Sequence, residues 1–390
     1  MHKLPGSPNY SRFPQRYLAS LDALHLNGSV RIGRHFLGRE WRPWLVLLKR
    51  WIAPWLKPWR RNRPVAPATV RKKLWNFPTP DAAALDWCAG QVKAFGPDIV
   101  IADYFSAAAV FPHCGAGVAK AILLHDVLAA RKESFESAGL PLDFDPALLA
   151  REAESLASAD LCLAITPEEA ELVRSRLGVR DSEVFPYVTG PVLGPRSAPS
   201  QATECLFVGS NNAPNRLGLE WLLRTVWPLV LAEYPQAQLR VAGRVSPPTA
   251  ERLPHGVDCL GPVSDLSAEY ARSRLALVPL IAGSGLKIKL VEALVHATPV
   301  VATPVGAAGL PEAMADFGSA VIVANQSSEF AQAIVKVLGD PEWGRRSRAA
   351  AMAAELFGPR AADQAITKIL DRPLPVAQGD AATALSRDLA

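Results

Sequence analysis

The strongest constraint on the fold is a rhythm. Short apolar runs of β character alternate with stretches of helical pattern, and the alternation occurs twice. The first series puts strands near 98–102, 121–124, 161–165 and 183–188. A helix is expected over about 146–157. Another opens where Thr166 can cap and Pro167 takes the first helical position, running through PEEAELVRSRLG to Gly178. The second series puts strands near 205–208, 238–242, 258–261, 275–279, 299–302 and 320–323, with helices in the gaps, notably 217–234 and 265–274. Strands alternating with helices imply parallel sheets covered on both faces. Between the series lies TGPVLGPRSAPSQAT, residues 189–203, whose Pro, Gly and Ser read as a linker.

With 390 residues, 49% of them hydrophobic, the chain has core for two globular domains. No internal repeat is present. Its five cysteines (Cys88, Cys114, Cys162, Cys205, Cys259) are scattered and mostly sit in apolar runs. That reads as buried reduced thiols in a reducing cytoplasm, not a disulfide framework. No Cys–His or His–His spacing suits a metal. The start, MHKLPGSPNYSRF, has no apolar core of a secretion signal, and no apolar run reaches the roughly 18 residues of a membrane-spanning helix.

The most telling motif is AGSGLKIKLVEALVHATPVVATPVGAAGL, residues 282–310. A loop of Gly283, Ser284 and Gly285 runs through Leu286 into a short amphipathic helix bearing Lys287, Lys289 and Glu292. An apolar strand follows. Glycines let backbone approach a ligand closely, and the free N–H groups of a helix start attract anions. Two lysines add positive charge there, and Glu292 can accept hydrogen bonds from a ribose. Anion site, cations and acceptor on one unit suit a nucleotide diphosphate. The bland alternative is a solvated helix with an i,i+3 Lys–Glu pair, worth a few tenths of a kcal/mol.

This stretch resembles the donor-binding segment of retaining glycosyltransferases of the GT-B fold, in the large family 4 group (glycosyl transferases group 1). Many members read G-S-G-x-R-L-K-x-L-E-A and then small-P-V-V. This chain matches at Gly283, Ser284, Gly285, Lys287, Lys289, Glu292 and Ala293, then at Thr298, Pro299, Val300 and Val301. The better-known motif has a glutamate eight residues before the second one; Ser284 stands there and lacks that sugar-hydroxyl acceptor. LFVGSNNAPNRLGLEW, 206–221, resembles the opening strand and loop of the C-terminal domain in the same branch. LLHDV, 123–127, falls at the corresponding place in the N-terminal domain. Together the matches span roughly 95–345.

The resemblance implies an α/β protein with the GT-B fold: two doubly wound Rossmann-like domains facing a cleft, with a C-terminal helix crossing back. The expected division is an N-terminal acceptor domain over 1–190, a linker over 191–203, a nucleotide-sugar domain over 204–345, helices over 346–371, and a disordered tail over 372–390. The donor site is expected at the carboxyl ends of the C-terminal strands. It comprises Gly209, Ser210 and Asn211 after the first strand, Arg244 after the second (on phosphate or simply exposed), Val263 after the third, and Ser284, Gly285, Leu286, Lys287, Lys289 and Glu292. His125 and Asp126 are the expected catalytic residues across the cleft, although a histidine at a strand end is more often structural. Arg131 pairs with Asp126 or with phosphate. Family members usually open with an apolar strand and a glycine-rich turn; no such strand precedes LPGSPNYSRF, where Gly6 and Arg12 are candidate remnants.

A second feature is charge. The chain carries +5, yet residues 31–73 hold thirteen Arg or Lys against the single acid Glu40. Within this stretch, REWRPWLVLLKRWIAPWLKPWRRNR, residues 39–63, sets Trp41, Trp44, Trp51, Trp55 and Trp59 among basic residues at steps of three and four. Tryptophan favours bilayer interfaces and basic groups favour anionic headgroups, so the stretch fits an interfacial segment. Pro43, Pro54 and Pro58 oppose one straight helix. The alternatives are core packing in the first domain and, lacking any recognisable module, RNA binding.

The expected protein is therefore a cytoplasmic enzyme on the inner face of the membrane. It moves a sugar from a UDP- or GDP-linked donor to a lipid-linked or membrane-presented glycan, as in surface polysaccharide biosynthesis. It retains configuration and uses no metal, no other cofactor and no nucleic acid. A non-catalytic adaptor derived from such an enzyme, or a nucleotide-sugar epimerase, are the rival expectations.

Overall fold

The computed structural model describes residues 80–179, 181–187, 192–198, 203–245 and 253–371, with Leu74, Phe77 and the backbone of short strands before residue 39. The Trp-rich stretch 39–63, Gly6, the tail 372–390 and part of the linker lie outside the described residues. The chain divides into two compact units, residues 1–73 with 81–88, and residues 74–80 with 89–390.

In the first unit β1 (His2–Lys3), β2 (Tyr10–Arg12), β3 (Ser29–Ile32) and β4 (His35–Gly38) form an antiparallel sheet in the order β1-β2-β4-β3. Arg12, a candidate remnant of a phosphate-binding turn, pairs in register with His35 of β4. Helix α1 (Ala82–Phe95) follows.

The second unit carries two lobes. The N-terminal lobe holds β5 (Ile99–Asp103), β6 (Ala119–Leu123), α2 (Leu128–Ser137), α3 (Leu148–Ala157), β7 (Leu161–Ala164), α4 (Pro167–Arg176) and β8 (Ser182–Val184). Its strands are parallel and lie in chain order. Strand alternation sends Ala102, Ile122, Leu124, Cys162 and Ala164 into one core with Leu156 and Val173 from the helices. Thr166 caps α4 as its sequence requires, accepting the Glu169 N–H at 3.1 Å.

The C-terminal lobe runs β9 (Glu204–Gly209), α5 (Ala213–Trp221), α6 (Trp227–Glu233), β10 (Gln238–Gly243), β11 (Val257–Gly261), α7 (Leu266–Arg272), β12 (Leu275–Val278), α8 (Ile288–Val295), β13 (Val300–Ala302), α9 (Pro304–Ala307), β14 (Val321–Val323), α10 (Ser327–Leu338), α11 (Trp343–Ala354) and α12 (Pro359–Leu370). All six strands are parallel, in the order β11-β10-β9-β12-β13-β14. The chain steps outward from β9 in one direction, returns, and continues from β12 in the other. That reversal opens a crevice between the carboxyl ends of β9 and β12, where parallel α/β sheets bind ligands. Successive β9 residues serve opposite cores. Cys205 and Phe207 pack with Trp227 and Phe330, and Leu206 packs with Leu290 and Phe357.

The helix expected from 217 begins four residues earlier. Asn212 caps α5, with its Oδ1 accepting the Asn215 N–H at 3.0 Å. Between α5 and α6 the helix widens into a π turn, Leu222–Val226. Pro228 supplies the reason: it has no N–H to offer Arg224, and its ring would collide with that carbonyl in a regular α-helix.

The linker is anchored to the C-terminal lobe, and the last helix reaches the other one. The linker residue Arg196 donates to Ala271 O at 2.6 Å and Thr298 Oγ1 at 2.8 Å, and its guanidinium lies over Trp343 at 5.3 Å. Helix α12 returns to the N-terminal lobe, where Lys368 Nζ meets Glu183 Oε2 at 2.5 Å.

Candidate functional site

Each residue of the glycine–lysine loop is held by its surroundings. Gly285 has φ of 68°, a left-handed conformation natural to glycine. A Cβ there would stand 3.1 Å from the His125 carbonyl oxygen and 3.5 Å from Glu169 Oε1. The loop therefore presses backbone-first against the N-terminal lobe, and the Gly283 N–H donates to Ser134 Oγ of α2 at 3.0 Å. Gly209 and Gly243 make the equivalent close approach beneath the crevice. Gly243, at φ of 110°, would put a Cβ 2.1 Å from Gly209 O.

Lys287 stands immediately before α8 and is buried, 7% exposed. Its ammonium donates to the carbonyls of Ser284 (3.0 Å) and Gly285. Burial pulls its pKa down to about 8, against the opposing pull of Glu169 and Asp126 from the other lobe. Lys289 points back into the crevice. It donates to Asn215 Oδ1 and lies over the Phe207 ring at 4.8 Å. It keeps partial exposure, but its ammonium is surrounded by protein. Burial and then Lys287 lower its pKa to about 7, while Glu292 opposes the fall. Glu292 is half-buried one turn further along α8; burial raises its pKa and Lys289 restrains the rise. The two lysines and the glutamate thus share one electrostatic neighbourhood. Leu286, 8% exposed, contributes its side chain to the core, leaving only backbone for the loop.

Ser210 and Asn211 follow β9 at the other wall. Asn215 Nδ2 donates to Ser210 O at 3.0 Å and Ser210 Oγ at 3.1 Å, so one asparagine ties Lys289 to the β9 loop. Arg216 Nη1 donates to Asn211 Oδ1 at 3.2 Å. Arg244 is exposed just beyond Gly243, and Val263 packs partly buried against the lobe's second core.

Across the cleft, His125 and Asp126 divide their roles. Asp126 is 7% exposed and accepts from Arg131 Nη1 at 3.1 Å; Arg131 also donates from Nη2 to Asp143 at 2.6 Å. Arg131 is thus committed to two carboxylates rather than offered to phosphate. Burial raises the Asp126 pKa, and Arg131, Ser284 and Lys287 hold it down. Ser284, standing where the better-known form of the motif has a glutamate, faces this carboxylate. His125 is exposed instead, and its Nε2 meets Asp103 Oδ1 at 2.5 Å. Asp103, Glu169 and Asn215 escaped sequence reading. Asp103 ends a strand at an unremarkable position. Glu169 is a first-turn helix acid like many others, and burial here pushes its pKa up to about 7. Among the described residues no cluster of three or more metal-ligating side chains occurs.

Residues 202–340 match the family model described as glycosyl transferases group 1. An uncharacterized 44.6 kDa protein in the cps region of Klebsiella pneumoniae is 30% identical over 141 residues; the match covers 33% of this chain and 36% of that protein. Among solved structures, the sucrose-phosphate synthase of Thermosynechococcus elongatus superposes with a TM-score of 0.60 at 18% identity, covering 74% of this chain and 76% of that one. TarM of S. aureus, in complex with fondaparinux, alpha-GlcNAc-glycerol and UDP, gives 0.59 at 13% identity, covering 74% and 59%. Anabaena HepE, in complex with UDP and glucose, gives 0.53 at 17%, covering 74% and 81%. The fold is GT-B, and the stretch that matches the glycosyltransferase model lies in its C-terminal lobe.

Proposed function

We propose that this protein transfers a sugar from a nucleoside diphosphate donor to a glycan acceptor. The observation that carries the reading is the convergence of Lys287, Lys289, Glu292 and the start of α8 on the crevice between β9 and β12. A leaving diphosphate gains negative charge in the transition state, and preorganised cations and helix N–H groups are most effective against charge that develops there. Lys289 meets that charge directly. Lys287 braces the glycine loop against the N-terminal lobe and raises the local potential. Glu292 anchors the ribose, the Gly209–Asn211 loop and Arg244 lie against the phosphates, and Val263 flanks the base. No metal is needed for this division of labour.

Retention of configuration, a UDP or GDP donor, and a lipid-linked acceptor at the cytoplasmic face of a membrane extend the same reading. The family resemblance and the basic, Trp-rich stretch support them. No helix among the described residues is long and apolar enough to cross a membrane, so any attachment through them is peripheral. The cps-region relative supports polysaccharide biosynthesis as the setting.

The test is transfer of label from UDP- and GDP-sugars into a membrane extract by the purified full chain. Glu292→Ala and Lys289→Ala are expected to lower transfer at least tenfold. Unchanged transfer in both would refute the site, and absence of any nucleotide-sugar binding by calorimetry would favour an adaptor.

A further inference from the structure

The exposed His125–Asp103 pair has no structural task visible around it. Both side chains are largely open, 55% for the histidine and 79% for the aspartate, yet their atoms stand 2.5 Å apart. Exposed ion pairs rarely hold one geometry, because ordering two side chains cancels most of the gain. Here the backbone imposes it. Asp103 is in register with Leu123 across the β5–β6 ladder. Asp103 and Leu123, in register, point the same way, and His125, in the bend two residues past the end of β6, closes onto Asp103. Ala102, Ile122 and Leu124 point the other way, into the lobe's core. The pair therefore sits at the carboxyl ends of two parallel strands, on the side away from that core.

Two further observations fix the histidine. Its ring lies parallel to that of Tyr104, 6.1 Å between centroids and 18° between planes. Tyr104 is buried and adopts φ of 74°, an unfavourable conformation for an aromatic residue, directly after Asp103. The backbone carbonyl of His125 faces Gly285, so the imidazole stands at the rim of the donor loop.

We propose that Asp103 is a positioning residue for His125. Its carboxylate accepts a hydrogen bond from Nε2–H, which leaves Nδ1 with a lone pair to accept a hydrogen bond from a substrate hydroxyl at the cleft. A histidine free of such a partner exchanges tautomers and samples rotamers; one tied to a carboxylate presents one nitrogen in one state. The hydroxyl belongs to the transferred sugar or to its acceptor. Either source needs the same nitrogen in the same protonation state, and this role rests on the glycosyl-transfer reading above.

The test has two arms. Nitrogen-15 NMR of histidine-labelled full-length protein should show His125 protonated at Nε2 in its neutral form, and Asp103→Asn should redistribute the proton between the nitrogens. Transfer assays should show Asp103→Asn lowering kcat about tenfold, less than the roughly 10²–10⁴-fold of a group that itself transfers the proton, because Asp103 acts through His125. Binding of UDP or GDP should be unchanged, and Asp103→Glu should recover part of the rate. An Asp103→Asn drop in kcat that disappears with a donor whose transferred sugar lacks one hydroxyl assigns the contact to that hydroxyl, and a drop that persists with every such deoxy donor assigns it to the acceptor. Equal tautomer populations in the unaltered protein, or an Asp103→Asn rate within twofold of it, would overturn the proposal. Absence of transfer and of nucleotide binding in the unaltered protein defeats the glycosyl-transfer reading, and the NMR arm still decides the pair.

Discussion

Replacing Lys289 by Met should stabilise the empty protein while weakening nucleotide binding. Burial brings the Lys289 pKa from 10.5 to about 7. Three and a half pH units at about 1.36 kcal/mol each would be roughly 5 kcal/mol for the charged form. At pH 7 the group is about half neutral, which trims this to about 4 kcal/mol, and its partial exposure to solvent halves it again to about 2 kcal/mol. Methionine fills similar volume without charge but leaves Asn215 Oδ1 short of a donor, a loss of about 1 kcal/mol. The net gain is about 1 kcal/mol, or a rise of about 2–3 °C in Tm for a body of this size. Binding should move the other way. A diphosphate makes a charge-assisted hydrogen bond with the ammonium, and its loss costs roughly 1.5–3 kcal/mol, about 10- to 100-fold in Kd. The assays are calorimetric unfolding without ligand and titration with UDP and GDP. A Tm that falls by several degrees while nucleotide affinity stays within twofold would show that Lys289 supports the fold and not the ligand.

Further expectations follow from the same residues. Because Lys289, which meets the phosphates, is depressed to about 7, a bound diphosphate must reprotonate it. Nucleotide affinity should fall about tenfold from pH 7.5 to 8.5, with proton uptake visible as a buffer-dependent binding enthalpy; a flat profile would refute this. Glu169 has the opposite sign: its folded pKa of about 7 lies above the unfolded 4.5, so its contribution is present below 4.5 and lost as pH rises to 7. Glu169→Gln should flatten that part of the stability curve by up to about 3 kcal/mol, read as Tm against pH. Gly285→Ala should cost about 1–3 kcal/mol of backbone strain and push the loop off His125, so that donor affinity falls more than Tm does. Arg196→Ala removes three carbonyl or hydroxyl contacts and the Trp343 stack, and should lower stability by about 2–4 kcal/mol in urea titrations.

Much of this was legible in the chain. Pattern alone places the strands because a parallel strand buried on both faces must be apolar along its whole length, and Cys205–Val208 is. The Gly283–Glu292 unit is readable for a similar reason. Its glycines, lysines and glutamate lie within ten residues, so local backbone geometry already puts them together. What no reading of the chain supplied is whatever depends on distant partners. Lys289 meets Asn215 and Phe207 only because β9 and β12 flank the sheet's reversal point. Lys287 is spent on loop carbonyls because the other lobe closes over it and excludes water. Asp103 reaches His125 through a strand register set by the β5–β6 ladder, and nothing in the one-dimensional order of residues marks it. Charge type and local spacing are properties of the sequence; dielectric surroundings and long-range pairing arise only when the strands assemble and water leaves.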